Sequence, residues 1–390
     1  MSYDFNQITE RHGTNCIKTD LALARGKPAD VLSLWVADMD FPTSPAILEA
    51  LHNKINHGIF GYSCLDESFH NALSQWMKNE HNFIFDRREL VTTPGVVFAI
   101  ASAIKAFTKE GESVLIQTPV YYPFKNMIEA NNRRLVTSSL YEKDGKWQIN
   151  FKDFENKIEE NDVKLFILCS PHNPVSRVWT RQELNQLAEI CLRHNVIVFA
   201  DEIHNDFVYT PNVHTVFSTL SPEIAENSIV SMSPSKTFNL AGLQFSTNFI
   251  KNPALRAKFK EERNKTGYDE PSLMGMVAAR AAYEGGKPWL EDLKIHLYSN
   301  IVFLRSYLKE KLPKARLIEP EGTFLLWIDF SAYGIPDNEL DDLIVNKAKV
   351  WLDRGTMFGP EGNCYQRINI ATPQPLLHQA IDRISEVLSC

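Results

Sequence analysis

Along the middle of the chain, apolar residues come in short blocks. Ser113–Gln117, Lys164–Cys169, Val196–Ala200 and Ser228–Met232 are brief, apolar and bounded by turn residues. Blocks of that kind predict strands buried on both faces, as in a parallel sheet. Between them the apolar spacing becomes helical. Thr180 and Glu183 form T-x-x-E, and Leu184, Leu187, Ala188 and Cys191 then share one face, which predicts a capped amphipathic helix. Pro94-Gly95 precedes an apolar helix over Val96–Phe107. This alternation predicts an α/β domain with a mostly parallel sheet flanked by helices. The rhythm changes later. A long helix is expected over residues 290–311, strands over Ala315–Ile318 and Gly322–Asp329, and helices over Glu339–Ala348 and Pro375–Leu388. That mixed order predicts a smaller α+β domain. The breaker cluster Gly285-Gly286-Lys287-Pro288 sets the boundary, giving a large domain of residues 46–286 and a small one of 1–45 and 287–390.

Composition narrows the class. The chain has 390 residues, 44% hydrophobic and 23% charged, which suits a folded globular protein. With 41 basic and 48 acidic residues its formal charge is -7, so neither nucleic acid nor an anionic membrane is expected as a main partner. The basic runs Lys258–Lys260 and Arg263–Lys265 are interrupted by Glu261 and Glu262 and read as a solvated face. Six cysteines (Cys16, Cys64, Cys169, Cys191, Cys364 and Cys390) form no C-x-x-C pair and no zinc-knuckle spacing. Cys169 and Cys191 lie in apolar segments and are expected to be small buried residues. The apolar runs Leu165–Cys169 and Phe324–Ile328 are five residues each, against about 20 for a membrane helix. Met1–Asn6 shows no basic region followed by an apolar core, so no secretory signal is expected and a cytoplasmic location is.

No G-x-G-x-x-G, G-x-x-x-x-G-K-[ST], H-E-x-x-H or G-x-S-x-G is present. The chemistry-bearing residues sit instead where predicted strands end, the edge at which open α/β sheets bind ligands. Asp201-Glu202-Ile203-His204-Asn205-Asp206 follows Val196–Ala200. An acid there can face a bound group or simply cap a helix. Asp201, His204 and Asp206 are also metal-type donors, with Asp38 and Asp40 as further oxygens, but no matching His/Cys cluster supports a metal. Ser170-Pro171-His172-Asn173-Pro174 follows Lys164–Cys169, and Asn173 lies 28 residues before Asp201, one strand–helix–strand step. Ser233-Pro234-Ser235-Lys236-Thr237-Phe238 follows Ser228–Met232. A lone lysine is ordinarily a solvated cation; one desolvated at a strand end becomes a nucleophile able to form an imine.

Taken in order, P-H-N-P, D-E-I-H and S-x-S-K-T-F-N-x-A-G resemble the fold-type I pyridoxal-phosphate enzymes, the aspartate aminotransferase superfamily, over roughly residues 35–375. Within it the chain is most similar to the cystathionine β-lyase or cysteine-S-conjugate β-lyase branch. Trp35–Pro42 and His204, where aminotransferases usually carry Tyr, point there. The resemblance implies pyridoxal 5′-phosphate held by Lys236, which also moves the Cα proton. It implies Asp201 on the pyridine nitrogen, Asn173 on the phenolic oxygen and Tyr121 stacked on the ring. His204 is expected beside that oxygen or the nearby acids. Gly95, Val96 and Val97 at a helix N-terminus, with Ser233 and Ser235, are expected around the phosphate. Tyr62 would reach the neighbouring subunit's phosphate, implying a homodimer with shared sites. Arg367 would clamp the substrate carboxylate, with Ala37 and Asp38 beside the substrate. Gln244 stands where the aminotransferases place a phosphate-pairing Arg. The implied activity is a carbon–sulfur β-lyase acting on L-cystathionine or related cysteine S-conjugates, with a place in methionine biosynthesis. An aminotransferase, or a cofactor-loaded protein that binds a regulator, are the alternatives.

Overall fold

A computed structural model describes residues 3–388, so Cys390 and the first two residues lie outside it. Its centre is a seven-stranded sheet. The strand order is Leu90–Thr93, Ser246–Phe249, Ser228–Met232, Ile197–Asp201, Val163–Cys169, Ser113–Thr118, Arg134–Ser139. The last five run parallel, while Ser246–Phe249 is antiparallel to both its neighbours. All four predicted strands are present. Each parallel step needs a helical crossover, and Val96–Phe107 and Arg181–Arg193 supply helices on the sheet's faces. The predicted capping box forms in full: Thr180 accepts from the Glu183 amide, and Glu183 reaches back to the Thr180 amide at 2.7 Å. Leu184, Leu187, Ala188 and Cys191 are all buried.

Three strands escaped the apolar pattern for distinct reasons. Arg134–Ser139 is an edge strand whose side chains alternate between exposed and buried. Leu90–Thr93 has only four residues. Ser246–Phe249 is fully buried yet polar, and hydrogen bonds replace apolar packing there. Ser246 Oγ lies 2.7 Å from Thr93 Oγ1, Asn248 Oδ1 accepts from Ser231 Oγ at 2.8 Å, and Asn248 Nδ2 donates to Val91 O at 2.9 Å. Buried polar groups persist when paired in this way.

Arg316–Leu317, Leu325–Asp329, Tyr365–Asn369 and Asp353–Arg354 form an antiparallel four-stranded sheet. The helix Lys287–Lys311 begins three residues before its expected start. Gly286 separates it from the helix Leu273–Gly285, and a Cβ there would come within 2.4 Å of the Phe238 ring. The expected helix over Glu339–Ala348 is corrected: Asp337–Asp342 is α-helical, and Leu343–Lys347 widens to a π-turn closed by Ala348 N–H on Leu343 O. The strand expected from Gly322 begins only at Leu325, because Thr323 has φ +64°. Leu32–Ser33 pairs in parallel with Val350–Trp351 as a separate two-stranded sheet, tying the N-terminal segment to the chain just before Asp353–Arg354. One apolar core joins Phe166 and Val198 of the large sheet to Leu326 and Ile368 of the small one, and a second packs Ile100, Val114, Ile167 and Phe199 together. Among the described residues no helix is long and apolar enough to cross a membrane.

Because Thr180 satisfies an otherwise orphaned helix amide, Thr180→Ala should lower stability by about 1 kcal/mol. Chemical denaturation of the variant checks this, and its visible cofactor absorbance should be unchanged.

Candidate active site

Asp201 ends its strand, one residue beyond the predicted end, and lies in register with Cys169 on the next strand. The chain then turns. Asp201 Oδ1 accepts from Ile203 N–H at 3.1 Å. Lys236 lies in the one-turn helix Pro234–Thr237, directly after the adjacent strand. Its N-cap Ser233 has its hydroxyl 2.7 Å from Phe245 O and 2.8 Å from Ser235 Oγ, and accepts from Ser235 N–H at 3.1 Å. Three successive parallel strands thus deliver Asn173, Asp201 and Lys236 to one edge.

They meet in one cavity, lined also by Gly95, Val96, Val97, Tyr121, His204, Ser235, Ala37 and Gln244. Cys169, Ile203, Ala241 and Phe245 complete it. Cys169 was expected to be a buried filler, and it is buried, but its place opposite Asp201 at a strand end also puts it on the wall. Ala241, within the motif after Lys236, and Phe245, beside Gln244, come from the turn after Lys236, where small and apolar side chains carry no chemistry of their own.

Burial shapes the ionisation. Loss of solvent pushes the Asp201 carboxyl up to about 7, partly offset by the Ile203 amide and the Lys236 charge. It pulls the Lys236 amine down to about 8, against the opposing pull of Asp38 and Asp201. The His204 imidazole is held well below its usual range by burial and by the Lys236 and Arg367 charges, so it is neutral. The Tyr121 hydroxyl is raised, chiefly by burial. Lys236 Nζ donates to Ala37 O at 2.6 Å.

Other expected residues fall at different distances from the cavity. Arg367 is buried beside it. Nη1 donates to Asn173 Oδ1 at 2.9 Å, and Nη2 donates to Trp35 O at 2.8 Å and pairs with Asp353. Asp38 is turned toward Arg11 rather than into the cavity. Ser233 supports Ser235 and does not line the wall. Tyr62 is 98% exposed and lies apart from its own chain's cavity. The metal-type donors do not converge: Asp206 turns to His81 (2.9 Å) and accepts from Thr237 (2.5 Å).

The site suits pyridoxal phosphate by its donor set. A desolvated amine, an opposed carboxylate and an amide share one wall. His204 Nδ1 and Arg367 Nε are buried without a partner among the described residues. A Cβ at Gly95 would meet no protein atom, leaving room against the first amides of the helix Val96–Phe107, where an anion is favoured.

Fold and site together define a fold-type I pyridoxal-phosphate enzyme. The chain belongs to the aminotransferase class I and II family, whose model matches residues 29–384. It is 40% identical to cystathionine beta-lyase PatB of Bacillus subtilis, over 99% of this chain and 100% of that one. Among solved structures it is similar to cystalysin from Treponema denticola, which contains pyridoxal 5′-phosphate (TM-score 0.96, 32% identity, 100% and 99% of the two chains). It is also similar to the pyridoxal-phosphate-bound C-S lyase of Staphylococcus hominis (TM-score 0.93, 31% identity, 100% and 98%).

In the cofactor-free chain, Asp201 holds its proton more tightly folded than unfolded. Its contribution to stability is therefore present below the usual carboxyl range and is lost as pH rises through about 7. Asp201→Asn should remove that loss. Thermal melting of cofactor-free protein should show the variant gaining more over wild type at pH 8 than at pH 5.

Proposed function

We propose that the protein is a pyridoxal-phosphate-dependent carbon–sulfur β-lyase that converts L-cystathionine or a related cysteine S-conjugate to a thiol, pyruvate and ammonia. The observation carrying this reading is the cavity that Lys236 and Asp201 share, in a chain 40% identical to a cystathionine β-lyase. When bound, the cofactor supplies an electron-withdrawing ring that makes the substrate Cα–H acidic.

The chain's own residues do the rest. Lys236 holds the cofactor. Its amine, whose affinity for protons is lowered, would move the substrate's Cα proton near neutral pH. Asp201 would hold the cofactor's pyridine nitrogen, its carboxylate favouring a proton there. Arg367 fixes Asn173 through Nη1 and leaves Nε for a substrate carboxylate. Tyr121 covers a face of the cavity. Ser235 and the amides after Gly95 receive the phosphate, and Gln244 lines the wall where the aminotransferase pattern has a cation.

A homodimer with shared sites belongs to this reading. The helix Pro45–His57 ends at Gly58, and the following segment exposes Ile59, Phe60 and Tyr62, with Ile55 exposed on the helix's last turn. An apolar stretch of that kind calls for a partner, and a second copy would bring Tyr62 to the other site. The reading also places the protein in the cytoplasm and in methionine biosynthesis.

Transamination on the same scaffold is the second reading, favoured by the family model. L-cystathionine separates the two: pyruvate formed without any keto-acid acceptor means lyase. Lys236→Ala should abolish the visible band that borohydride fixes to the peptide, and pyruvate release should fall at least a thousandfold, because nucleophile and base are lost together. Full turnover by that variant would defeat the proposal. For the dimer, Tyr62→Ala and Lys236→Ala subunits, each nearly inactive alone, should recover about a quarter of wild-type activity when co-refolded, since mixed dimers carry one intact site.

A further inference from the structure

The segment Trp35–Phe41 runs beside the cavity as a strap, with Ala37 on the wall, and two of its carbonyls face the cations Lys236 and Arg367. Ala37 O accepts from Lys236 Nζ at 2.6 Å, and Trp35 O accepts from Arg367 Nη2 at 2.8 Å. Two asparagines clamp it. Asn239, three residues past Lys236, accepts from Met39 N–H and donates to Met39 O (3.0 Å each) and to Phe41 O (2.9 Å). Asn369, two residues past Arg367, donates to Val36 O and Asp38 O at 2.6 Å. A displacement of the strap is therefore felt at both ends of the site.

The outer side of the strap carries two carboxylates, and the N-terminal segment supplies their cations. Arg11 meets Asp38 with both terminal nitrogens, at 3.0 and 2.5 Å, and also reaches Asp40 at 2.7 Å and Met39 O at 3.2 Å. The fully buried Lys18 donates to both oxygens of Asp40, at 2.9 and 2.8 Å, and lies 3.7 Å from Asp38. Asp40 thus keeps a cation without Arg11. Asp38 keeps only the looser pairing with Lys18 at 3.7 Å, beyond hydrogen-bond reach. A two-point guanidinium–carboxylate contact fixes geometry as well as charge.

We infer that Arg11, a residue of the N-terminal segment outside the cavity, is a positioning residue for the reactive amine: acting through Asp38, it seats the strap and sets the negative charge that Lys236 meets. The inference rests on the proposed function. Asp38 is the foremost of the charges that favour protonated Lys236, ahead of Asp201; Arg367 opposes it, and Tyr121 and the neutral His204 complete the surroundings. Half-neutralised by Arg11, Asp38 exerts a muted field. Without Arg11 that field strengthens, and the strap loses its outer tether.

The test is a double-substitution cycle read from the visible absorption of the cofactor-loaded protein between pH 5 and 10. Arg11→Gln should move the titration midpoint of the lysine-bound band upward by roughly half a pH unit or more, and Asp38→Asn should move it downward. In the Asp38→Asn background, Arg11→Gln should add nothing, and Arg11→Lys should restore part of the wild-type midpoint. Thermal melting confirms that each variant is folded. A midpoint unmoved by Arg11→Gln, or moved equally with and without Asp38, overturns the inference while leaving the cofactor reading standing. A wild-type protein that gains no visible band with pyridoxal phosphate overturns both.

Discussion

The site depends on keeping water away from one amine and one carboxylate at the edge of one sheet. Burial, partly offset by neighbouring charges and the Ile203 amide, drives Lys236 and Asp201 toward their neutral forms, the amine to about 8 and the acid to about 7. Each is then close to the point at which a small change in its neighbours moves a proton. A cofactor bringing a pyridine nitrogen to Asp201 and an aldehyde to Lys236 resolves both costs at once. The polar groups around them are held by the fold: Asn173 by Arg367, Arg367 by Asp353, and Lys236 by the strap carbonyl.

The parallel sheet makes this arrangement reproducible. Strands that run the same way present the same end to the same edge, so Asn173, Asp201 and Lys236 need no long loops to meet. Polar residues that would weaken the sheet elsewhere are paired within it, as Ser231, Asn248 and Thr93 show. The antiparallel sheet contributes Arg367, whose strand is paired along its length with Leu325–Asp329. The strap links the two sheets' ends, since Asn239, beyond the large sheet, and Asn369, on a strand of the small one, both bond to it. Movement of one sheet against the other would therefore pull on Lys236 and Arg367 together.

Much of this was legible in the chain. Parallel strands buried on both faces leave an apolar signature, and the turn residues after them mark where chemistry sits, so Asn173, Asp201 and Lys236 stood out. The capping box at Thr180 and Glu183 is a local rule obeyed locally. What stayed hidden is what depends on distant pairing. The strand Ser246–Phe249 is stable only because Ser231, Val91 and Thr93 complete its hydrogen bonds. Arg11 and Lys18 look like ordinary surface cations until the fold brings Asp38 and Asp40 to them. Asp38 was expected at the substrate and is turned to Arg11 instead, because a half-buried carboxylate needs a cation.

The same geometry bears on why elimination is within the chain's means. A thiolate leaving Cβ is a weak base, since a free thiol loses its proton near pH 8.5. Its departure requires no strong acid from the protein. The cavity offers none: His204 is neutral, and the hydroxyl of Tyr121 and the thiol of Cys169 are both raised by burial. The lysine is the group suited to exchanging protons there. Once it has taken the Cα proton, its lowered affinity would allow it to pass that proton on. A substrate with a poor leaving group at Cβ would leave the same residues only proton transfer at Cα and the transamination that can follow it, so sulfur at Cβ is the feature that makes elimination available here.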